Sequence, residues 1–245
     1  MENKEYELMS EIQGSHWIWT ARRTVIKTLI DHSVKPKTPF SIADVGAGFG
    51  ANLDLLTQYG DVSALELHED ALKTIQKKWG PRVKTVAWKC PDPLDSKFDL
   101  ILLADVLEHI PNDREMARWI FDHLKPNGFV LITVPAHKWL WTQMDDFVHH
   151  QRRYTKKELK TLFGQLKMIR LSYYHFFLFP LKILFVLYDK IQRIFLPQKP
   201  KQSYNETPAS VINSLLSLIA RGEAELLKFV SFPAGPSLVM LVQKV

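Results

Sequence analysis

Apolar and polar positions along residues 40–135 follow two rhythms in turn. Phe40–Val45, Val62–Leu67, Val83–Trp88, Phe98–Ala104 and Phe129–Val134 are short apolar runs bounded by glycine, proline or charge, and read as strands. Between them, Ala51–Tyr59, Glu69–Trp79 and Asp113–Leu124 carry apolar residues at three- and four-residue spacing and read as helices. Gly80-Pro81 stops the second helix, and Lys125-Pro126-Asn127-Gly128 stops the third. Strands and helices alternating at this spacing predict a parallel sheet covered on both faces. The run Phe98-Asp99-Leu100-Ile101-Leu102-Leu103-Ala104 is apolar enough to lie inside it.

Outside this core, Ser15–Ile30 has helical spacing, with Ile18, Val25, Ile26 and Leu29 on one side. Thr155 with Glu158 three residues later is the spacing of a capping box and predicts another helix. Met168–Phe176 reads as a strand, Pro180–Phe195 and Ala209–Val230 as helices, and Ser237–Gln243 as a last strand. The polar, proline-bearing stretch Pro197–Ser203 reads as a mobile connection. The expectation is one domain over 1–245, with a helical cap over about 1–35 and a helical insertion or lid over about 177–232. No internal repeat is visible.

Composition adds limits. A hydrophobic share of 46% with 24% charged residues fits a globular chain and excludes a mostly disordered one. The single cysteine, Cys90, excludes an internal disulfide or a cysteine-rich zinc site. The polar start, Met1-Glu2-Asn3-Lys4-Glu5, lacks the apolar core of a signal peptide, so a cytoplasmic location is expected. The most apolar stretch, 176–195, is interrupted by Pro180, Lys182, Asp189, Lys190 and Arg193, too often for a spanning helix. A formal net charge of +6 favours an anionic partner.

The candidate chemistry sits at the ends of the expected strands, where open parallel sheets bind ligands. Gly46, Gly48 and Gly50 lie between the first strand and its helix, where glycines let the backbone turn and approach a ligand closely. A dinucleotide loop would want Gly-x-Gly-x-x-Gly; here the third glycine comes one residue early. Glu66 ends the second strand, and a carboxylate there can accept both hydroxyls of a ribose.

Asp44-Val45-Gly46-Ala47-Gly48-Phe49-Gly50, Glu66, Phe98–Ile110 and Leu124-Lys125-Pro126-Asn127-Gly128 together resemble the class I S-adenosylmethionine (SAM)-dependent methyltransferases. The resemblance implies a Rossmann-like α/β fold with a seven-stranded, mostly parallel sheet, one strand antiparallel. It implies SAM as cofactor, leaving S-adenosylhomocysteine. Asp44 and Asp105 would face the methionine end, Gly46, Ala47 and Gly48 would line it, and Glu66 with Leu67 would take the ribose. Asp92 would contact adenine, although the segment after the third strand is shorter than the family's. Arg22 and Trp17, on the N-terminal helix, would reach the cofactor from outside the sheet.

A narrower resemblance, to a bacterial methyltransferase type 11/12 subgroup, rests on His16-Trp17-Ile18-Trp19, Arg22-Arg23, Val134-Pro135-Ala136, Trp141 and the His-x-Arg-Arg-Tyr element His150-Gln151-Arg152-Arg153-Tyr154. Members of that subgroup are often associated with cell-surface glycan or lipid-linked pathways. The implied reaction is methyl transfer to an oxygen of a small-molecule or lipid-linked acceptor. N- or C-methylation of a natural product and a non-catalytic SAM-binding subunit are the alternatives. An alcohol acceptor needs a base, and His109 and His150 are the candidates. Arg152, Arg153, Tyr154 and Trp141 are the candidate acceptor contacts. Asp105, Glu108 and His109 also resemble the acid-x-x-Glu-His segments that bind a divalent ion in some ubiquinone-pathway and small-RNA methyltransferases, although a metal is not expected. Nucleic acid is not an expected partner, since no RNA-binding module is visible. Peripheral membrane contact is compatible with the apolar segment Tyr173–Leu181 and the helix after it.

Overall fold

The structure is a computed structural model that describes residues 13–195 and 208–245. The chain start and the expected connection at 197–203 lie outside the described residues. Seven strands form one sheet: β1 (Ser41–Val45), β2 (Asp61–Glu66), β3 (Val83–Ala87), β4 (Phe98–Ala104), β5 (Leu124–Pro135), β6 (Lys167–Tyr174) and β7 (Ser237–Gln243). Their order is β3-β2-β1-β4-β5-β7-β6. β7 runs antiparallel to both β5 and β6, and the other described pairings are parallel. This is the expected fold, with one antiparallel strand.

β4 sits at the centre because its sequence leaves it no other place: Leu100, Ile101, Leu102 and Leu103 are all completely buried. A strand apolar on both faces must be covered on both. The chain lays β2 and β3 to one side of β1, then crosses back to place β4 on the other. The order therefore reverses between β1 and β4. At such a switch point the two connections leave in opposite directions and open a crevice beyond the strand ends. Asp44, Glu66 and Asp105 stand at or just beyond those ends.

The helices are α1 (Trp17–Leu29), α2 (Leu53–Leu56), α3 (Glu69–Trp79), α4 (Asp113–His123), α5 (Gln143–Phe147), α6 (Lys156–Leu162), α7 (Phe179–Phe195) and α8 (Ser210–Leu226). The helix expected over Ala51–Tyr59 is a single turn. The Thr57 hydroxyl donates back to the Leu53 carbonyl, and Asp61 N–H already donates to Phe40 O to start β2. Gly60 passes so close to Phe40 that a Cβ there would lie 2.0 Å from its carbonyl oxygen. The chain must turn early, and the helix is cut short. β5 begins five residues earlier than expected: Leu124 pairs with Phe98, and the register then shifts between Phe98 and Leu100. α6 has its capping box, with the Thr155 hydroxyl accepting from Glu158 N–H and the Glu158 carboxylate accepting from Thr155 N–H.

The N-terminal cap and the helical insertion meet each other. α1 packs along α8. Asn213 binds both sides of the α1 start, accepting from Trp17 N–H and donating to Ser15 O, each at 2.9 Å. The buried Glu223 carboxylate accepts from Phe177 N–H, which fastens α8 to the segment after β6. The outer faces of these helices stay apolar: Leu181, Leu184, Leu187, Ile191 and Ile194 on α7, and Val211, Ile212, Leu215 and Leu218 on α8, are exposed. No helix among the described residues is long and apolar enough to cross a membrane.

Leu102 touches only protein. Leu102→Ala is expected to lower unfolding free energy by about 2–5 kcal/mol, since the cavity in a four-sided strand environment cannot collapse. Urea denaturation followed by circular dichroism would check this; a loss below about 1 kcal/mol would contradict the central placement of β4.

Candidate active site

The glycine loop is shaped by positive φ. Gly46 has φ 64° and Gly50 φ 86°, a region that residues with a Cβ rarely adopt. Space enforces the same choice: a Cβ on Gly46 would lie 2.9 Å from the Val106 side chain, and one on Gly50 2.7 Å from the Trp79 ring. Gly46 N–H and Ala47 N–H both point to Leu65 O, at 2.8 and 3.3 Å, so the loop is tied to β2. Glu66 completes the tie. Its carboxylate accepts from Gly48 N–H at 2.8 Å, Leu67 N–H at 2.8 Å and His68 N–H at 2.9 Å. A carboxylate offers about four lone-pair sites, so Glu66 keeps capacity for a ligand hydroxyl. Leu67, beside it, is exposed.

Two acids and one arginine form the next layer. Asp44 is buried and its Oδ2 has no hydrogen-bond partner. Burial pushes its pKa up to about 7, against the opposing pull of Arg22 and a hydrogen bond from Asn52. Asp105 has φ 58°. Its Oδ2 accepts from Arg22 Nη1 at 2.6 Å and its Oδ1 from the Thr133 hydroxyl at 2.8 Å. Burial pushes the Asp105 pKa up, but the Arg22 charge and these hydrogen bonds outweigh it and hold the group ionised. Arg22 itself is buried and lies over the Trp19 ring at 4.4 Å. An unpartnered buried carboxylate oxygen beside a glycine loop suits a ligand ammonium group.

A third cluster follows β4. The turn Leu107–His109 carries Glu108, which is completely buried, with neither carboxylate oxygen hydrogen-bonded. Burial, then the Asp105 charge, raises its pKa well above the usual carboxylate range. His150 Nε2 stands 3.7 Å from Glu108 Oε1. The His109 and His150 rings meet edge to face at 4.8 Å between centroids. Burial, then the neighbouring His150, lowers the His109 pKa to about 4.

His150 is positioned by a residue that the sequence reading missed. Its Nδ1 lies 2.8 Å from Asp145 Oδ1. Asp145 in turn accepts from Arg153 Nε at 2.7 Å, Arg153 Nη2 at 2.9 Å and Thr142 N–H at 2.8 Å. These bonds outweigh burial and hold the Asp145 pKa below the usual carboxylate range. Thr142-x-x-Asp145 is a helix-start spacing, and it was the one signal in the sequence for this residue.

Several expected contact residues are engaged within the protein. Arg153 is buried, with its third donor, Nη1, on Ala136 O, so these donors are taken up within the protein. The Tyr154 hydroxyl donates to Asp113 Oδ2 at 3.1 Å and approaches Leu107 O, so it too is internal. Arg152 pairs with Asp113 at 2.8 Å and donates to Pro111 O. Trp141 Nε1 donates to Asp146. Trp17 packs edge to face on His175 and against Leu178 and Ala220. The Asp92 side chain is exposed, while its carbonyl oxygen accepts from both Trp88 and Trp119. Arg22 is engaged by Asp105. Asp105, with both oxygens occupied, does not join Glu108 and His109; His150 takes that place. A surface cleft between α4 and α6 is lined by Arg152, Arg153 and Tyr154 but shares no residue with the glycine loop, Glu66 or the Asp105–His109 segment.

Asp44 gives a pH test. In the folded chain its proton is held up to about pH 7, while the unfolded chain loses it near 3.8. The folded state therefore binds more protons between those values, and stability falls as pH rises through that window. Asp44→Asn cannot ionise. It is expected to match the parent in urea midpoint at pH 4 and to exceed it at pH 8. An equal gap at both pH values would show that the carboxylate is not the cause.

A family model described as a methyltransferase domain matches residues 18–181. Phosphoethanolamine N-methyltransferase 2 of Caenorhabditis elegans is 30% identical over 135 residues, which are 50% of this chain and 30% of that protein. The match thus spans less than a third of that relative's own length. Among solved structures, the N-methyltransferase NodS from Bradyrhizobium japonicum WM9, in complex with S-adenosylhomocysteine, is 12% identical with a TM-score of 0.55, covering 98% of each chain. Geranyl diphosphate C-methyltransferase from Streptomyces coelicolor A3(2), in complex with Mg2+, geranyl diphosphate and S-adenosylhomocysteine, is 10% identical with a TM-score of 0.58, covering 89% of this chain and 78% of that one. At these identities the structural likeness is one of fold. The match to the family model runs from α1, through the glycine loop and the Glu108–His150 cluster, to the start of α7, and by it the chain belongs to the methyltransferase domain family.

Proposed function

We propose that the protein transfers the methyl group of SAM to an oxygen of a small, anionic or lipid-linked acceptor. The observation that carries the reading is the layout at the switch point: a glycine loop and Glu66 on one side, and the Glu108–His109–His150 cluster one turn beyond β4 on the other. SAM, when bound, supplies a methyl group on a positively charged sulfur. Glu66 would take the ribose hydroxyls. Asp44 would take the ammonium of the methionine end, which gives its unpartnered oxygen a cation. Gly46, Ala47 and Gly48 would carry the backbone of the cradle, with Leu67 against adenine or ribose, and Asp105 fixed by Arg22 behind them.

The chain's part in the reaction is then mostly alignment and exclusion of water. An amine acceptor arrives with a usable lone pair; an alcohol does not, and must lose its proton as the new bond forms. His150 suits that work. Asp145 holds its Nδ1 and leaves Nε2 facing the cluster, which is how a histidine base is oriented in acyl-transfer triads. His109, held neutral by burial, suits acceptor contact. Phosphoethanolamine and geranyl diphosphate, in the names of the similar proteins, are both anionic, and the net charge of +6 agrees with such an acceptor.

A lipid-linked acceptor is favoured by a separate observation. α7 and α8 present Leu184, Ile194, Leu215 and Leu218 outward, and Lys190 and Arg221, on the same helices, are exposed beside them. Apolar and basic positions on one helix face suit the surface of an anionic bilayer. The His-x-Arg-Arg-Tyr element agrees with the glycan and lipid-linked associations of the subgroup it resembles.

Calorimetry with S-adenosylhomocysteine should give one site per chain, weakened about 10- to 100-fold, or about 1.4–2.7 kcal/mol, in Glu66→Ala. With an identified acceptor, His150→Gln should keep that affinity and lower kcat by about 100- to 10,000-fold. No binding to the parent protein would end the reading. For the lipid part, the protein should float with vesicles of anionic phospholipid, and Leu184→Asp with Leu218→Asp should abolish flotation. A parent protein that stays at the bottom of the gradient would leave a soluble acceptor.

A further inference from the structure

Glu108 poses a problem that methyl transfer alone does not answer. A completely buried carboxyl group that meets no donor from any other residue is an unfavourable arrangement. The nearest charged group, His150 Nε2, is at 3.7 Å, too far for a hydrogen bond. Both oxygens need a partner that the side chains around them do not supply.

We propose that Glu108, His109 and His150 bind a first-row divalent cation, zinc before others. One ligand atom from each residue lies within 4.8 Å of the other two. Tetrahedral coordination with bonds of about 2.0–2.2 Å puts ligand atoms roughly 3.3–3.6 Å apart. The Glu108–His150 pair is already close to that separation, and a small rotation of the His109 ring brings in the third. Glu108 and His109 are neighbours on a tight turn, so both point from one short piece of backbone.

The surroundings are those of a metal-binding histidine. A histidine ligand needs its other ring nitrogen held, usually by a carboxylate, to fix tautomer and orientation. Asp145 does this for His150 at 2.8 Å, and Arg153 and Thr142 lock Asp145 in place. For His109, the backbone of His149 provides the partner. One carboxylate and two imidazoles select zinc, cobalt or iron over magnesium or calcium, which prefer oxygen alone. Three protein ligands leave a fourth position for an acceptor oxygen. What the ion does there rests on the acceptor assignment above: with the ion bound, His150 Nε2 is a ligand and no longer the base, and the ion itself would hold the acceptor oxygen and lower the pKa of its hydroxyl. Binding of the ion does not rest on it.

The test uses tag-free full-length protein, stripped with chelator and desalted. Titration with Co2+ should give visible d–d absorption of a tetrahedral nitrogen-and-oxygen site, saturating at one ion per chain. Zn2+ should displace it and raise the melting temperature, and Mg2+ should do neither. Glu108→Gln, nearly the same shape, and His150→Gln should each weaken Zn2+ at least about 100-fold, and Asp145→Asn about 10- to 100-fold through His150. Circular dichroism confirms that each variant is folded; if Glu108→Gln is not, His109→Gln replaces it. No cobalt spectrum and no zinc heat with folded parent protein would overturn the proposal, as would unchanged affinity in the folded ligand variants. Because neither SAM nor an acceptor is present, this result is separate from the methyltransferase reading. Homocysteine-product binding without zinc binding overturns only the metal site.

Discussion

Arg22 is the group on which the arrangement at the strand ends depends. Asp44, buried at the end of β1, and Asp105, partly buried just beyond the end of β4, both lie within reach of one arginine. A single guanidinium from outside the sheet lowers the pKa of both. It bonds only one of them, however. Asp105 receives the short contact and stays ionised, while Asp44 keeps an unpartnered oxygen. The pair is thus asymmetric before any ligand arrives, with one acid satisfied from within and one left to be satisfied by a cation. Since Arg22 lies on α1, the cap is part of the cofactor site rather than an appendage to it. Asn213 and the packing of α8 hold α1 in place, so the insertion contributes to the same site at one remove.

A second buried ion pair organises the other side. Arg153 grips Asp145 with two nitrogens, and Asp145 turns His150 toward Glu108. Removing one partner of such a pair leaves an uncompensated charge and typically destabilises by about 3–5 kcal/mol. A surface clamp would not be built this way. Arginine suits the position because its planar fork fits a carboxylate with two bonds. The paired arginines of the His-x-Arg-Arg-Tyr element therefore divide their work inside the protein: Arg152 binds Asp113, Arg153 binds Asp145, and Tyr154 reaches Asp113 and Leu107. The element braces the loop after β5 against the turn after β4.

The donor side was legible in the sequence and the acceptor side much less so, for a physical reason. A glycine loop, a strand-end acid and a fully apolar central strand are local patterns, and parallel-sheet geometry brings them together wherever they occur. The strands followed from periodicity in the same way, and the antiparallel strand from the family resemblance. The exceptions were local too: Gly60 squeezed against Phe40 shortened α2, and Leu124 joined β5 early. The acceptor side depends on contacts between distant segments. Nothing in Asp105-x-x-Glu108-His109 says that Asp105 will turn to an arginine from the N-terminal helix, or that His150 will replace it beside Glu108. Asp145 carried only a helix-start spacing, and its partner is Arg153, which had been read as an acceptor contact.

Glu108 connects the two sides. The Asp105 charge adds to burial in raising its pKa, and only Asp105 has Arg22 in direct contact. A carboxyl group in that position can stay in the fold by holding a proton or by meeting a cation. Burial and the Asp105 charge already favour the protonated form of the free group. A cation needs further ligands, and two imidazole rings stand at the required side, one of them fixed by its own carboxylate. The same burial that makes Glu108 unfavourable alone makes it a strong ligand when paired, because charge interactions gain strength where water is excluded. The cation is the partner that these two imidazoles can complete around Glu108.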